Sequence, residues 1–269
     1  MGEVRVALVG IDGTGKTTVL RRLRERDGVG VVHAVRGHEN PDNPGAGLSA
    51  ALTGASLAAD EVGRVQLKVC VLYLQLCLFG PAEEHAGAGG RTVLTDRHPL
   101  VDPLVYLPLF ARARQEAEPG TDVDAWWRKQ EPSAARAVRD WLRTRTGDTD
   151  AWAAGTEVLR WGTLPPDALS QTLARHFGVS LPAGVLLLDL PVSEALRRTG
   201  ERPRGGELHE TRSFLAATRE RYDTVLEHLS RTRPHLAVRR LPCSGLSVDE
   251  VAAEVRDAVT ALSTQPMSP

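Results

Sequence analysis

The chain has 269 residues, 42% of them hydrophobic and 25% charged, with a formal net charge of -1 and an isoelectric point near 6.7. That length can bury a full core, and the near-neutral balance argues against binding nucleic acid or a membrane surface through bulk charge, which leaves a small molecule as the expected partner. Three cysteines (Cys70, Cys77, Cys243) without metal-ligand spacing exclude a disulfide framework; the lack of a basic-then-apolar leader or of an apolar run approaching a membrane span points to a soluble, cytoplasmic protein.

Val4, Val6, Ala7, Leu8 and Val9 form the short apolar run of a buried parallel strand, and Val19, Leu20 and Leu23 recur at helical spacing. Between them stands Gly10-Ile11-Asp12-Gly13-Thr14-Gly15-Lys16-Thr17-Thr18, a complete G-x-x-x-x-G-K-[ST] loop in the strand, loop, helix order that this motif requires. Gly10, Gly13 and Gly15 let backbone N–H groups converge on an anion, and the helix N-terminus adds its partial positive charge. The loop therefore predicts an ATP site that includes Asp12, Thr14 and Thr18. Lys16 is expected to reach the outer phosphates and the Thr17 hydroxyl to ligate Mg2+.

Val29 to Val35 reads as a second strand and ends at a polar loop, Arg36 to Pro44. Ligands of open parallel sheets sit outside the carboxyl ends of strands, so Arg36 and Glu39 become candidates; a solvated turn is the alternative. Glu61 to Leu78 predicts one long apolar helix, on which Gln66 and Tyr73 share a stripe. A buried glutamine offers donor and acceptor to a nucleobase edge, whereas the plainer reading puts it at the helix surface. The strand Arg91 to Thr95 then runs into Asp96-Arg97-His98-Pro99, where a carboxylate can serve Mg2+ and an arginine can neutralise phosphate.

Residues 111 to 181 carry the weakest signals, with helices expected around 123–145 and 167–177. All five tryptophans fall there, read as a satellite hydrophobic cluster without a catalytic role. Val185 to Leu190 is a strong buried strand. After it come Arg197, Arg198, Arg202, Arg204 and Glu207, in a stretch whose glycines and Pro203 argue against a continuous helix. Clustered arginines of this kind can clamp a transferring phosphoryl group. A helix over 208–229, a strand over 236–241 and a helix over 247–262 with a Ser247/Glu250 capping box complete the pattern, and a frayed tail is expected over 264–269. The expected fold is α/β: a parallel sheet flanked by helices, one domain over 1–263 with a helical insertion at 111–181 and an arginine-rich lid at 197–207.

With the phosphate loop, Asp96-Arg97-His98 and the arginine segment in place, the chain resembles the thymidylate kinase and deoxynucleoside kinase group of P-loop kinases. Its substrate region looks most like herpesvirus-type thymidine kinases. Their Asp-Arg-His-Pro run matches Asp96 to Pro99, and their base-stacking tyrosine ten residues beyond the aspartate matches Tyr106. Their base-reading glutamine, with a tyrosine seven residues later, is similar to Gln66 and Tyr73, and their lid arginines and sugar-binding glutamate match Arg198, Arg202, Arg204 and Glu207.

The resemblance implies transfer of the ATP γ-phosphoryl group to the 5′-hydroxyl of a nucleoside, and a homodimer. Glu39 would be the base, with Asp12 in reserve; Lys16, Arg97 and the lid arginines would stabilise charge; Thr17 and Asp96 would hold Mg2+. Gln66 would pair with the base, Tyr106 would stack on it and Glu207 would hold a sugar hydroxyl.

Three departures bear on the acceptor. The arginine that thymidylate kinases carry on the long helix to meet the base has no counterpart here, where Gln66 and Gln75 are the polar residues, which favours a nucleoside. Arg36-Gly37-His38-Glu39-Asn40-Pro41 retains only part of the Arg-Glu-Pro-Gly-Gly run of thymidylate kinases, and Asn40 interrupts the Glu-Pro pair of deoxynucleoside kinases. The alternative enzyme phosphorylates a nucleoside monophosphate, with Arg36 and Arg97 gripping the acceptor phosphate and Asp12 touching the sugar. A switch or motor ATPase, a different class, would need neither an arginine lid nor a second pocket.

Overall fold

The computed structural model describes residues 4–40, 42–113, 118–200 and 211–263. Pro41, Arg202, Pro203, Arg204, Gly206, Glu207 and the tail from 264 to 269 lie outside the described residues. In chain order the elements are β1 (Arg5–Val9), α1 (Lys16–Asp27), β2 (Gly30–His33), a 3-10 turn (Gly37–Glu39), α2 (Ala46–Val62), α3 (Val65–Leu76), α4 (Phe79–Gly87), β3 (Val93–Asp96) and α5 (Asp102–Ala113). There follow α6 (Asp122–Arg128), α7 (Pro132–Thr146), α8 (Ala151–Trp161), α9 (Pro166–Phe177), β4 (Gly184–Asp189), α10 (Val192–Gly200), α11 (Arg212–Thr232), β5 (Ala237–Pro242) and α12 (Val248–Ser263).

The chain divides into two compact units, the first comprising Met1–Val32, Glu83–Val101 and Ser180–Pro269, the second His33–Ala82 and Asp102–Val179. The first is built on the five-stranded sheet, in the order β2-β3-β1-β4-β5. β1 pairs in parallel with β3 and with β4, and β4 with β5, so Leu8 stands level with Asp96 on one side and Leu186 on the other. Val6 to Val9 are entirely buried, as expected of a central strand covered on both faces. Chain order reverses on the two sides of β1, which puts the loop after it at a switch point of the sheet, where open α/β sheets bind ligands.

α1 packs against α12, and Arg256 reaches Asp27 at 3.0 Å across that contact. The capping box forms as the sequence predicts: Ser247 donates to the Glu250 carboxylate at 2.7 Å, and its own oxygen accepts from the Glu250 amide at 3.3 Å. At the end of β4, Asp189 accepts from Arg219 Nε at 2.9 Å and from Arg240 Nη1 at 2.8 Å. Burial alone would raise the Asp189 carboxyl, but hydrogen bonds from Arg219 and then Arg240 outweigh it and hold the group below its ordinary value.

The second unit is helical. Three expectations change here. The helix expected over 61–78 is two helices, because Gly63 adopts a left-handed conformation (φ 75°) and caps α2, with its N–H on the Ala59 carbonyl. The helix expected over 123–145 divides at Glu131, whose side chain caps α7 through the Ser133 and Ala134 amides, with Pro132 in its first turn. The apolar run α3–α4 (Val65–Gly87) is in fact long and apolar enough to cross a membrane, but 72% of an 18-residue apolar stretch within it is buried inside the structure, as in a core helix.

The tryptophans fasten these helices together. Trp126 is fully buried with its indole N–H on the Ala55 carbonyl at 2.8 Å, Trp141 donates to the Leu74 carbonyl at 3.0 Å, and Trp161 meets Tyr73 edge-on. α8 lies so close to α3 that a Cβ on Gly155 would stand 1.9 Å from the Gln66 carbonyl oxygen. All three cysteines are free and buried, and burial pushes the Cys70 thiol up to about 12, which suits packing rather than reactivity.

Candidate functional site

On the first unit the loop after β1 is made of backbone. Gly10 (φ 143°) and Gly13 (φ 91°) take conformations closed to other residues, and at both a Cβ would come within 2.6 Å of a carbonyl oxygen, of Leu188 and of Ala195 respectively. Gly15 caps α1 in a left-handed conformation, and the first turn of α1 carries no acidic residue, so the positive end of that helix is left to an anion. Thr14, buried, ties the loop to itself through Ile11 O at 3.0 Å; Thr18 is exposed on α1. Lys16 is buried, its ammonium donating to the Gly10 carbonyl at 2.9 Å and the Ile11 carbonyl at 3.0 Å.

The end of β3 supplies the second set of groups. The Thr17 hydroxyl donates to Asp96 Oδ2 at 2.6 Å. Two hard oxygen donors this close suit Mg2+, which takes few protein ligands and fills its shell with phosphate oxygens and water. Among the described residues there is no group of three or more His, Cys, Asp or Glu side chains that could hold a metal ion.

Arg97 follows with φ 69°, and among the described residues it is the only non-glycine with positive φ. Such strain persists where the surroundings enforce it and concentrates at functional sites. Here the Arg97 amide is held by the Leu8 carbonyl at 3.0 Å, and its guanidinium pairs with Asp12 at 2.5 Å, with side chains 15% and 14% exposed. The structure thus brings together Asp12, Lys16, Thr17, Asp96 and Arg97.

His98 is wholly buried. Desolvation drives its imidazole down to about 3, partly offset by a hydrogen bond with the Ser180 backbone, so it is neutral and accepts from the Leu100 amide at 3.1 Å. It supports the strand end and supplies no charge.

Arg197 and Arg198 lie on α10, which starts directly after β4. Arg198 is paired with Glu194. The sequence reading does not single out Glu194 or its other partner, Ser244, because their contact joins positions 50 apart.

On the second unit, the turn after β2 is braced by side chains. Asn43 donates to the Gly37 carbonyl at 3.0 Å and accepts from the Gly45 amide at 2.9 Å; Ser49 on α2 accepts from the His38 amide at 3.1 Å. These braces fix Arg36 and Glu39, whose charged groups are 3.7 Å apart with side chains 45% and 27% exposed. Gln66 is buried on α3, and Tyr106 is buried on α5 with its ring stacked on Phe110. Tyr73 stands apart in kind: its ring packs against Trp161, His176 and Phe177, and burial, then the Cys77 neighbour, pushes its hydroxyl up to about 12. Its surroundings are those of a packing residue.

No protein-family model matches the chain, and no curated protein matches it significantly. Solved structures do. A deoxyadenosine kinase from M. mycoides, with the products dCMP and dCDP bound, superposes with a TM-score of 0.53 at 12% identity, covering 96% of this chain and 99% of that one. The thymidylate kinase of Candida albicans superposes with a TM-score of 0.51 at 12% identity, covering 97% and 92%. At this identity the likeness establishes a shared α/β fold with these two kinases. Neither of the two is a herpesvirus-type thymidine kinase.

Proposed function

We propose that this chain is an ATP- and Mg2+-dependent phosphotransferase that moves the γ-phosphoryl group to the 5′-hydroxyl of a nucleoside, in the manner of deoxynucleoside kinases. The observation that carries the reading is the convergence of Lys16, Thr17, Asp96 and the Asp12–Arg97 pair around an anion-receiving loop. Kinship with both kinases rests on the fold; the finer likeness to herpesvirus-type enzymes rests on the Asp96 to Pro99 run and the Gln66 and Tyr106 spacing alone.

Phosphoryl transfer asks a protein for positioning and for stabilisation of spread negative charge. Lys16 exchanges its loop carbonyls for phosphate oxygens, and Arg97 and Arg198 offset charge that develops on the transferred group. Thr17 and Asp96 would hold Mg2+, which would supply charge neutralisation at the phosphates. Glu39 accepts the proton of the attacking hydroxyl as the new oxygen–phosphorus bond forms and the bond to the ADP oxygen breaks. Gln66 reads the base and Tyr106 flanks it. Arg202, Arg204 and Glu207 are assigned to lid and sugar by sequence resemblance alone. Cytoplasmic localisation and a homodimer are further parts of the proposal.

The alternative acceptor is a nucleoside monophosphate, with Arg36 gripping its phosphate; the partial exposure of Arg36 keeps it in play. Incubation with Mg2+, ATP and a panel of nucleosides and monophosphates, followed by ADP release and product mass, decides between them. A nucleoside 5′-monophosphate as product supports the proposal. A diphosphate as the sole product moves the acceptor, and acceptor-independent ATP hydrolysis alone overturns both.

A further inference from the structure

Resting on the kinase reading, we infer that Glu194 is a positioning residue for phosphoryl transfer: anchored by Ser244, its carboxylate sets the direction of the Arg198 guanidinium on α10, the helix whose backbone abuts the phosphate loop. Three observations on the first unit meet here. α10 is in backbone contact with the loop, since a Cβ on Gly13 would come within 2.6 Å of the Ala195 carbonyl oxygen. Glu194 Oε1 accepts from Arg198 Nη2 at 2.5 Å, one helical turn along α10. Glu194 Oε2 accepts from the Ser244 hydroxyl at 2.9 Å, from the connection between β5 and α12.

Each oxygen of the carboxylate therefore has its own donor, and the two donors come from different elements. A glutamate paired only with an arginine four positions on would swing with it. Ser244 removes that freedom, so the arginine is presented in one orientation. The Ser244 hydrogen bond, ahead of the Arg198 pairing, keeps the Glu194 carboxyl below its ordinary value, consistent with a carboxylate held between two donors.

A part-exposed pair at this spacing adds little to stability, so a purely structural role predicts almost no change in kinetics on its removal. A positioning role predicts a kinetic signature. Glu194→Gln, which keeps the shape and loses the charge, is expected to lower kcat about tenfold while KM for ATP and for the acceptor stays within about twofold; Ser244→Ala follows in the same direction. In an Arg198→Ala background, Glu194→Gln adds nothing further.

Unchanged kcat in Glu194→Gln, or an effect that adds fully to Arg198→Ala, overturns the inference. A carboxyl-carbon NMR titration reads the contact without activity: the Glu194 pKa rises in Ser244→Ala, and an unchanged value overturns the anchor. A wild-type protein that transfers no phosphoryl group overturns the kinase reading instead, which keeps the two failures distinct.

Discussion

The loop after β1 and the turn after β2 are both short connections leaving strands of one sheet, yet they are stabilised differently. Gly10 to Gly15 is shaped by main-chain conformation and by backbone in direct contact with backbone, at Leu188 and Ala195. The Arg36 to Gly45 turn is shaped by side chains, with Asn43 bridging Gly37 and Gly45 and Ser49 holding His38. A loop of the first kind offers an anion amides that every residue owns, so its shape depends little on its side chains. A turn of the second kind presents particular side chains, and its chemistry rests on them.

That contrast can be broken in order of expected effect. Lys16→Met removes the only ammonium in the loop and is expected to cost about 10³-fold in kcat/KM, roughly 4 kcal/mol, in a protein that still folds, as circular dichroism checks. Retained turnover would remove the loop from the chemistry. Glu39→Gln is expected to lower kcat about 10²-fold by deleting the base while leaving ATP affinity alone, checked by kcat and by equilibrium binding of ATP.

Asn43→Ala tests the brace itself. Loss of two hydrogen bonds, one buried and one part-buried, should destabilise by about 1–2 kcal/mol in urea unfolding and lower kcat several-fold, although Asn43 touches no substrate in this account. The smallest effect belongs to His98. Folded, it takes a proton only near pH 3; unfolded, near 6.5. The unfolded chain therefore binds more protons between those values, so stability falls with pH below about 6.5, by roughly 1 kcal/mol at pH 5.5. His98→Asn, which keeps an acceptor for the Leu100 amide, should flatten that slope in melting curves recorded from pH 7 to 5.

The same contrast explains what the sequence made legible. The phosphate loop, Asp96 and Arg97 stand in contiguous motifs, and the strands announce themselves as apolar runs, so this half of the site reads directly. The braces Asn43 and Ser49, and the Glu194–Ser244 contact, join separated positions and leave no local signature. α2 escapes a hydrophobicity search because its buried face is built mostly from small residues, Ser49, Ala55, Ala58 and Ala59 beside Leu52. The helix expected over 167–177 forms as α9, whereas the start signals of α7, Glu131-Pro132, and of α8, the capping Asp150, are hidden in the sequence by continuous apolar periodicity at the first and by loop-like composition at the second. Tyr73 shares a helical stripe with Gln66, and spacing alone does not reveal that Trp161 and Phe177 enclose it.

Phosphoryl transfer itself is the central claim, and product mass from wild-type and Lys16→Met protein, each incubated with Mg2+, ATP and nucleosides, tests it most directly. The account predicts a nucleoside 5′-monophosphate formed in step with ADP by the wild type and almost none by the variant. Equal product from both proteins, or ADP released without any phosphorylated acceptor, would contradict it.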